Sequence, residues 1–556
     1  MYKLSLCLTY LRKRALAYFA MLGVTLCVFM MLVAVSVLNG FVDKIERAAK
    51  GLFGDVVVSS SSLGGLSHYD EFIAEMKKQV PAVEGASPFI LTFGILRVPG
   101  TDYRRTVQIA GIRLPERADV SDFEEGLFVQ KDVRKPTFEP PMDLVLRRLR
   151  QEHDTTLKIL QREQTTPEGA EPTLEQLAVA SRIRNALTYQ ELAIANFRLA
   201  DFNRQQIERL RKQLVEADNA GNDTEVARLE RRIAARERSV ILPPARRAIL
   251  GLGIAGLTSR TSRGETIRTI GPGHQIVLSL IPLGRQLSFA DITPATASFT
   301  VIDDCSTDVA SIDSEIVYVN FLTLQKLNNM SAERDANDPN AIVEPPRCSQ
   351  IHVKVAPGLS RGYELQSLAK QINKAWVQFA ASRPEVAKND VRVETWRQRQ
   401  SRLVSSIEAQ RTLMVIILGI ISSVAVVLIF VIMYVIVVQK TRDIGVLKAV
   451  GASSLGVAGI FLAYGAAIGL VGSVFGTVGG YYFVHHINPI HDWIGRTFGF
   501  VVWSRETFLF EKIPNEVGLV AAINIVAGAI LSGILGALIP ALRAARQQPV
   551  EALRYE

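Results

Sequence analysis

Four windows of this 556-residue sequence, 15–42, 412–439, 449–491 and 517–542, contain no Asp, Glu, Lys or Arg. An uncharged apolar stretch longer than roughly 20 residues can cross a hydrocarbon core as a helix, and a water-exposed domain has little use for one. The chain is therefore expected to be an α-helical membrane protein with four transmembrane helices, at 15–42, 412–438, 455–484 and 517–542. The third is shortened because its window opens on a turn, GASS, and closes on the wetter HHINPIH. The first apolar run continues beyond a signal-peptide core, with no small-residue cleavage site to end it, so it is expected to remain as an anchor.

Basic residues mark one side of the bilayer: Lys3, Arg12, Lys13 and Arg14; Lys440, Arg442 and Lys448; Arg543, Arg546 and Arg554. The positive-inside rule makes the termini, 1–14 and 543–556, cytoplasmic. Lys44, Arg47 and Lys50 oppose this, diluted by Asp43 and Glu46. The segments 43–411 and 485–516 then face outward. The formal charge of +9 sits partly at the cytoplasmic surface, where membrane lipids with anionic headgroups attract it, so no nucleic-acid partner is called for.

The large outer segment is not uniform. In 43–141 and again in 241–411, period-two runs (GDVVVSSSS, ILRVPG, RRTVQIAGI; QIVLSLIP, SFTVID, EIVYVN, SQIHVKVA) alternate with amphipathic stretches such as YDEFIAEMKKQV and GYELQSLAKQINKAWVQFAAS, which predicts α+β structure. Between them, 142–240 is rich in Arg, Glu, Gln, Leu and Ala and poor in strand formers, and predicts an inserted helical coiled-coil arm. Breaks at TTPEGAEP and ADNAGND divide it, and Leu174, Leu177, Leu187, Ile194, Phe197, Ile207, Leu210 and Leu214 form the expected seam of its middle helix. Such an arm either stiffens the domain or grips a partner.

Catalytic signatures do not occur. There is no G-x-x-x-x-G-K-[ST], H-E-x-x-H, C-x-x-C or G-x-S-x-G, so the chain is read as non-enzymatic, with no cofactor of its own; ATP chemistry would belong to another subunit. Cys305 and Cys348 either bridge, closing a loop of about 43 residues, or stand as two buried thiols. Cys7 and Cys27 read as apolar filler. His485, His486 and His491 lack enough nearby ligands for a metal and read as interface residues, leaving no metal site. Gly465, Gly469, Gly472, Gly476, Gly479 and Gly480, with Gly528, Ser532, Gly533 and Gly536, give close-packing faces that serve either the fold or a subunit interface. The segment 439–454, QKTRDIGVLKAVGASS, reads as a short amphipathic helix with Ile444, Leu447 and Val450 on one face. Gly451 is expected to end it with a left-handed cap and Ser453 to start the next helix.

TRDIGVLKAVGAS followed by a glycine-rich span, the closing PALRAARQQPVEALRYE, and a first span ending in SVLNGF resemble the FtsX-like or MacB-like permease superfamily of ABC transporters, closest to the LolC/LolE lipoprotein-releasing type. The stretch from IHDWIGRTFGF to FLFEKIPNEV adds to the latter likeness. The resemblance covers the first 140 residues and 246–556; the arm departs from it. It implies an inner-membrane permease with a large periplasmic domain, working with a cytoplasmic ABC ATPase dimer that holds ATP and Mg, and with a second permease subunit, identical or related. Thr441, Arg442, Asp443, Ile444, Gly445, Leu447, Lys448 and Gly451 match its ATPase-coupling helix. Lipoprotein acyl chains would pass a wall including Val37, Leu38, Phe41, Val42, Leu413, Ile416 and Ile420, and the cargo would go to a periplasmic chaperone, or an adaptor would meet the arm. Two other activities use the same framework: a MacB-like tripartite exporter, and an FtsX-like signalling protein that activates periplasmic cell-wall hydrolases.

Overall fold

The structure is a computed structural model that describes residues 15–60, 64–121, 123–131, 133–164, 174–239, 246–254, 256–260, 266–282, 293–307, 310–334, 338, 342–360, 362–383, 386, 390–498, 513 and 515–548. Lys3, Arg12, Lys13, Arg14 and Arg554, Cys7, the TTPEGAEP break and the closing PVEALRYE lie outside these residues. The chain divides into a membrane unit, 1–46 with 401–556, and a soluble unit, 47–400.

Among the described residues four helices are long and apolar enough to cross a membrane. Ala15–Phe53 and Ser401–Gln439 carry the first and second spans, Ser454–His485 the third and Leu519–Arg546 the fourth. The first runs eleven residues past the expected end at Val42, and the second starts eleven before the expected Thr412, because the flanking residues are good helix formers that merely become polar. The third span is the hub of the bundle. A Cβ on Gly472 or Gly476 would stand 2.8 Å from the side chains of Val24 or Val28, and one on Gly480 2.9 Å from Leu32, so this face admits the first span only as glycine. One on Gly469 would stand 2.8 Å from the Ala529 carbonyl of the fourth span, and one on Gly465 2.5 Å from the Gly533 carbonyl. Gly536 in turn lets the fourth span reach the Val426 carbonyl and Ile429 of the second. Gly465, Gly469, Gly472, Gly476, Gly480, Gly533 and Gly536 thus close the fold within one chain, where backbone proximity gains dispersion that lipid cannot supply, whereas Gly528 faces open space.

The soluble unit is built on a nine-stranded sheet. In chain order its strands are β1 Val56–Ser60, β2 Val83–Arg97, β3 Arg104–Ile112, β4 Arg247–Gly251, β5 Gln275–Leu280, β6 Ala295–Cys305, β7 Ile316–Asn320, β8 Gln350–Val355 and β9 Val391–Thr395. Their order is β9-β1-β8-β2-β3-β7-β4-β6-β5, and a further pairing of β2 with β5 closes six of them into a ring. The 15-residue β2 makes this possible: Val83–Phe89 pairs with β8 and Gly94–Arg97 with β5, while β3 runs along its other edge. β7 lies parallel to β3, so the two mixed stretches of sequence share one sheet. The core includes Phe89, Ile112, Phe123, Ile249, Ile302 and Tyr318, and helix Tyr69–Gln79 packs Phe72 edge-on against Trp376 of helix Gly362–Ala381.

Helices Met142–Gln164, Leu174–Asn219 and Asp223–Ser239 occupy the insertion. The first packs on the near half of the middle helix through Ile159, Ile183, Ala186 and Leu187, and the third packs on its far half through Leu210, Leu229 and Ile233. The turn in ADNAGND places Gly221 at φ +68°, with Asn222 N–H donating to Ala217 O and Gly221 N–H to Asp218 O. Leu177 is exposed rather than in the seam, whereas Ala180, Ile183 and Gln190 are buried, and nothing is described of the Leu174 side chain. At the arm's root, half-buried Arg268 donates to Glu152 (3.1 Å) and to Asp304, and its guanidinium lies 4.0 Å from the Phe128 ring centroid.

Candidate functional site

The segment singled out in sequence forms helix Thr441–Ala449, one residue after the second span. Ile444 is buried among Val437, Val457 and Ala544, and Gly445 is buried beside it. The Lys448 ammonium donates to the carbonyls of Ala545 (2.6 Å) and Gln547 (2.7 Å), placing a cation on the negative end of the last helix. Gln547 Nε2 donates to Thr441 Oγ1, and Lys440 pairs with Asp443. The short helix and the end of the last span are therefore one packed element. Ala452 N–H donates to Leu447 O and Gly451 N–H to Lys448 O, with Gly451 at φ +105°, so the glycine sits in the conformation its position demands. Ser453 Oγ accepts from Gly456 N–H at 3.1 Å and starts the third span.

This packing sorts the motif. Ile444, Gly445 and Lys448 face the bundle and Leu447 is half-buried, while Arg442 and Asp443 face away. Val450 does not share the face of Ile444: it is 84% exposed, because it is the capping residue where the chain turns outward. Val446 (49%), one turn earlier on the same helix, and Leu455 (86%), at the start of the third span, are exposed apolar residues as well. Sequence reading missed Val446 and Leu455, although the four-residue step from Val446 to Val450 is a usable signal.

The wall residues belong to the membrane unit. Val37, Leu38, Phe41 and Val42 are half-buried, and Leu413, Ile416 and Ile420 are exposed. The first two spans run in opposite directions and meet where Gly23 faces Leu428, a Cβ there standing 2.5 Å from the leucine. At 1.5 Å per residue, Val42 and Leu413 lie about 28 and 22 Å from that level toward the same end of the bundle.

In the soluble unit, the last turn of helix Ala15–Phe53 is held by side chains that sequence reading did not single out. Arg117, fully buried, donates to the carbonyls of Gly51 (2.8 Å) and Leu52 and to His352 Nδ1 (2.6 Å). Burial pushes its guanidinium down to about 10 and, with Arg117 adjacent, holds His352 well below the usual imidazole range. The imidazole is thus neutral, accepts at Nδ1, and its Nε2–H donates to Gln350 Oε1. Among the described residues no carboxylate pairs with Arg117 at hydrogen-bond distance; carbonyls at a helix C-terminus carry the compensating charge. Lys50 donates to Ser360 O (3.1 Å) and pairs with Asp55 (3.6 Å), whose carboxylate accepts from Val355 N–H. β1 follows at once and pairs antiparallel with β9, which leads through a Thr395–Gln398 capping box to the second long helix.

Cys305 and Cys348 are separate buried thiols, not a bridge. Cys305 ends β6 with its backbone paired to Gly251 and Leu127, and Cys348 pairs with Leu66, so different neighbours hold each in place. Burial pushes both thiols up. Among the described residues no cluster of three or more His, Cys, Asp or Glu could hold a metal. His485 stacks on Tyr481, and His486 packs on Tyr482 and contacts its carbonyl.

Residues 415–549 match the FtsX-like permease C-terminal family, so this part of a multi-pass membrane protein is similar to an FtsX-like permease domain. The chain is similar to the lipoprotein-releasing system transmembrane protein LolC of Xylella fastidiosa (30% identity over 164 residues, 30% of this chain and 40% of the relative). It is also similar to LolC of Neisseria meningitidis serogroup B (27% over 173 residues, 31% and 42%) and to LolE of Haemophilus influenzae (24% over 161 residues, 29% and 39%). The chain thus spans about two fifths of the length of the curated relatives it matches.

Proposed function

We propose that this chain is the permease subunit of an ABC transporter that extracts lipoproteins from the inner membrane for delivery to the outer membrane, working by mechanical transmission rather than through a pore. The observation that carries this is the exposure of the apolar residues Val446, Val450 and Leu455 along Thr441–Ala449 and the turn after it, with Arg442 and Asp443 on the same short helix, which Lys448 braces on the last span. Exposed apolar residues among charged ones are what a groove on a cytoplasmic ATPase would grip. The ATPase dimer would hold ATP and Mg, and its closure would push a rigid element. The likeness to LolC and LolE proteins supports lipoprotein as cargo.

In this reading both termini are cytoplasmic and the soluble unit is periplasmic. A second permease subunit completes the acyl-chain passage along Val37, Leu38, Phe41 and Val42 and, on the partner-facing second span, Leu413, Ile416 and Ile420. The exposed Leu192, Leu199 and Phe202 on the middle arm helix favour docking of a periplasmic chaperone or adaptor there.

The test is reconstitution with the ATPase, combined with photo-crosslinking at Val42 and Leu413. Val450→Asp should lower lipoprotein-stimulated ATP hydrolysis by roughly tenfold, the cost of one interface anchor, without changing the amount of permease inserted. Undiminished stimulation would remove the coupling role of these residues. Acylated lipoprotein in the crosslinked adduct would support the cargo assignment; an adaptor or hydrolase captured from the arm at Arg184, with no lipoprotein at either wall position, would transfer it to the exporter or signalling reading.

A further inference from the structure

The third span does not end in a loop. His486 caps Ser454–His485, and a second helix, Ile487–Phe498, begins at the next residue. At about 1.5 Å per residue the 32-residue span is about 48 Å long, enough to reach from one headgroup layer to the other, so the second helix starts at headgroup depth. The end of the span carries exposed Tyr481 and Tyr482, residues suited to that depth. The second helix is strongly two-sided. Ile487, Ile490 and Ile494, at steps of three and four, share an arc of about 120° with Trp493, which is 61% exposed. Asn488 lies off this arc and is tied to the protein: its Nδ2–H donates to Ile513 O (3.0 Å) and its Oδ1 accepts from Ile513 N–H (2.9 Å). Ile513 leads into the fourth span. The tether thus holds the polar side, while the isoleucines stay only half-covered by the chain.

We infer that Ile487–Phe498 is an interfacial helix, lying on the bilayer with Trp493 set among the lipid headgroups on the side opposite helix Thr441–Ala449. A lipid surface fits because the apolar arc is too narrow for a spanning helix, is continuous with the end of a span, and carries the aromatic residue that favours the water–hydrocarbon boundary. Such a helix pins one end of the hub span at fixed depth. Displacement applied at the other end then becomes tilt rather than vertical movement.

The experiment uses the full chain and its Trp493→Phe variant in phosphatidylcholine–phosphatidylglycerol vesicles with bromines near the headgroup, at mid-chain or near the chain ends. The difference between the two emission spectra isolates Trp493 from the other tryptophans. The expected result is a difference signal lost most strongly to the bromines nearest the headgroups and resistant to aqueous iodide. Quenching by iodide and by no brominated lipid would overturn the inference, as would strongest quenching by the deepest bromines.

Discussion

Glu152 and Asp304 place two carboxyls on the Arg268 guanidinium at the root of the arm, and Asp303 adds a third carboxyl next to Asp304. Burial is the main cause of the shift at Glu152 and Asp303: each carboxyl is pushed up to about 7, with Asp304 adding to it, and Asp303 accepts N–H bonds from Val129, Gln130 and Asp304. Burial opposes the charge on Arg268, but Asp304 and Glu152 outweigh it and keep the guanidinium protonated. Since the ordinary values are 4.5 and 3.8, the folded chain binds protons more tightly than the unfolded chain. The stabilisation is complete below those values and is lost as pH rises toward about 7. Glu152→Gln should therefore raise the stability of the full chain at pH 8 relative to wild type, by on the order of 2 kcal/mol, and flatten its decline from pH 5 to pH 8; thermal unfolding in detergent across that range checks it. None of this cluster was legible in sequence, because Glu152 and Arg268 are 116 residues apart and nothing local marks either as buried. Val450 shows the opposite failure. Spacing alone put it with Ile444, and the cap at Gly451, itself legible, was the reason it turns away.

Among the elements, the spans were the most legible, since the absence of charge over a membrane thickness has one common physical cause. Their ends were the least legible: Asp43 to Lys50 look like a boundary, yet helix geometry persists through them to Phe53. What stops that helix is Gly54, at φ +71° with its N–H donating to Lys50 O, and Arg117 then holds its final carbonyls from 65 and 66 residues away. Arg117→Met would keep much of the packing volume and leave Gly51 O, Leu52 O and His352 without their donor, at a cost of about 3 kcal/mol. Hydrogen exchange of 47–53 should then rise toward that of a frayed helix end. Arg117→Lys should recover part of the protection, and an unchanged exchange rate in the methionine variant would show that the turn is held by other contacts. The arm's division into helices was readable from glycine and asparagine chemistry at 217–223, but its seam was only partly so, since small residues such as Ala180 and Ala186 bury as effectively as leucine where helices approach closely.

For the whole molecule, the mixed character of the soluble unit was readable from alternating strands, whereas the closure of six strands into a ring was not. It rests on β2 changing partners along its length, from β8 to β5, which no periodicity encodes. The pairing of β1 with β9 was equally hidden, since more than 300 residues separate them. It makes the way into the soluble unit and the way out neighbouring strands, so the two move together. Cysteines at the opposed positions Ser60 and Val391 fall within the usual spacing for a disulfide, and under the proposed function oxidising the double variant should leave transport by the reconstituted complex intact. Loss of transport on oxidation, restored by reduction, would show that these strands must separate during the cycle.

The same adjacency has a bearing on ancestry and engineering. A segment whose ends lie side by side can be gained, exchanged or deleted as a cassette, because a short hairpin turn spans the gap it leaves. Residues 61–390 have this property, since Ser60 and Val391 are paired, and the four spans are packed on one another through their own glycines. Chimaeras that carry another soluble domain between β1 and β9 are therefore the natural units for separating what this chain drives from what it recognises.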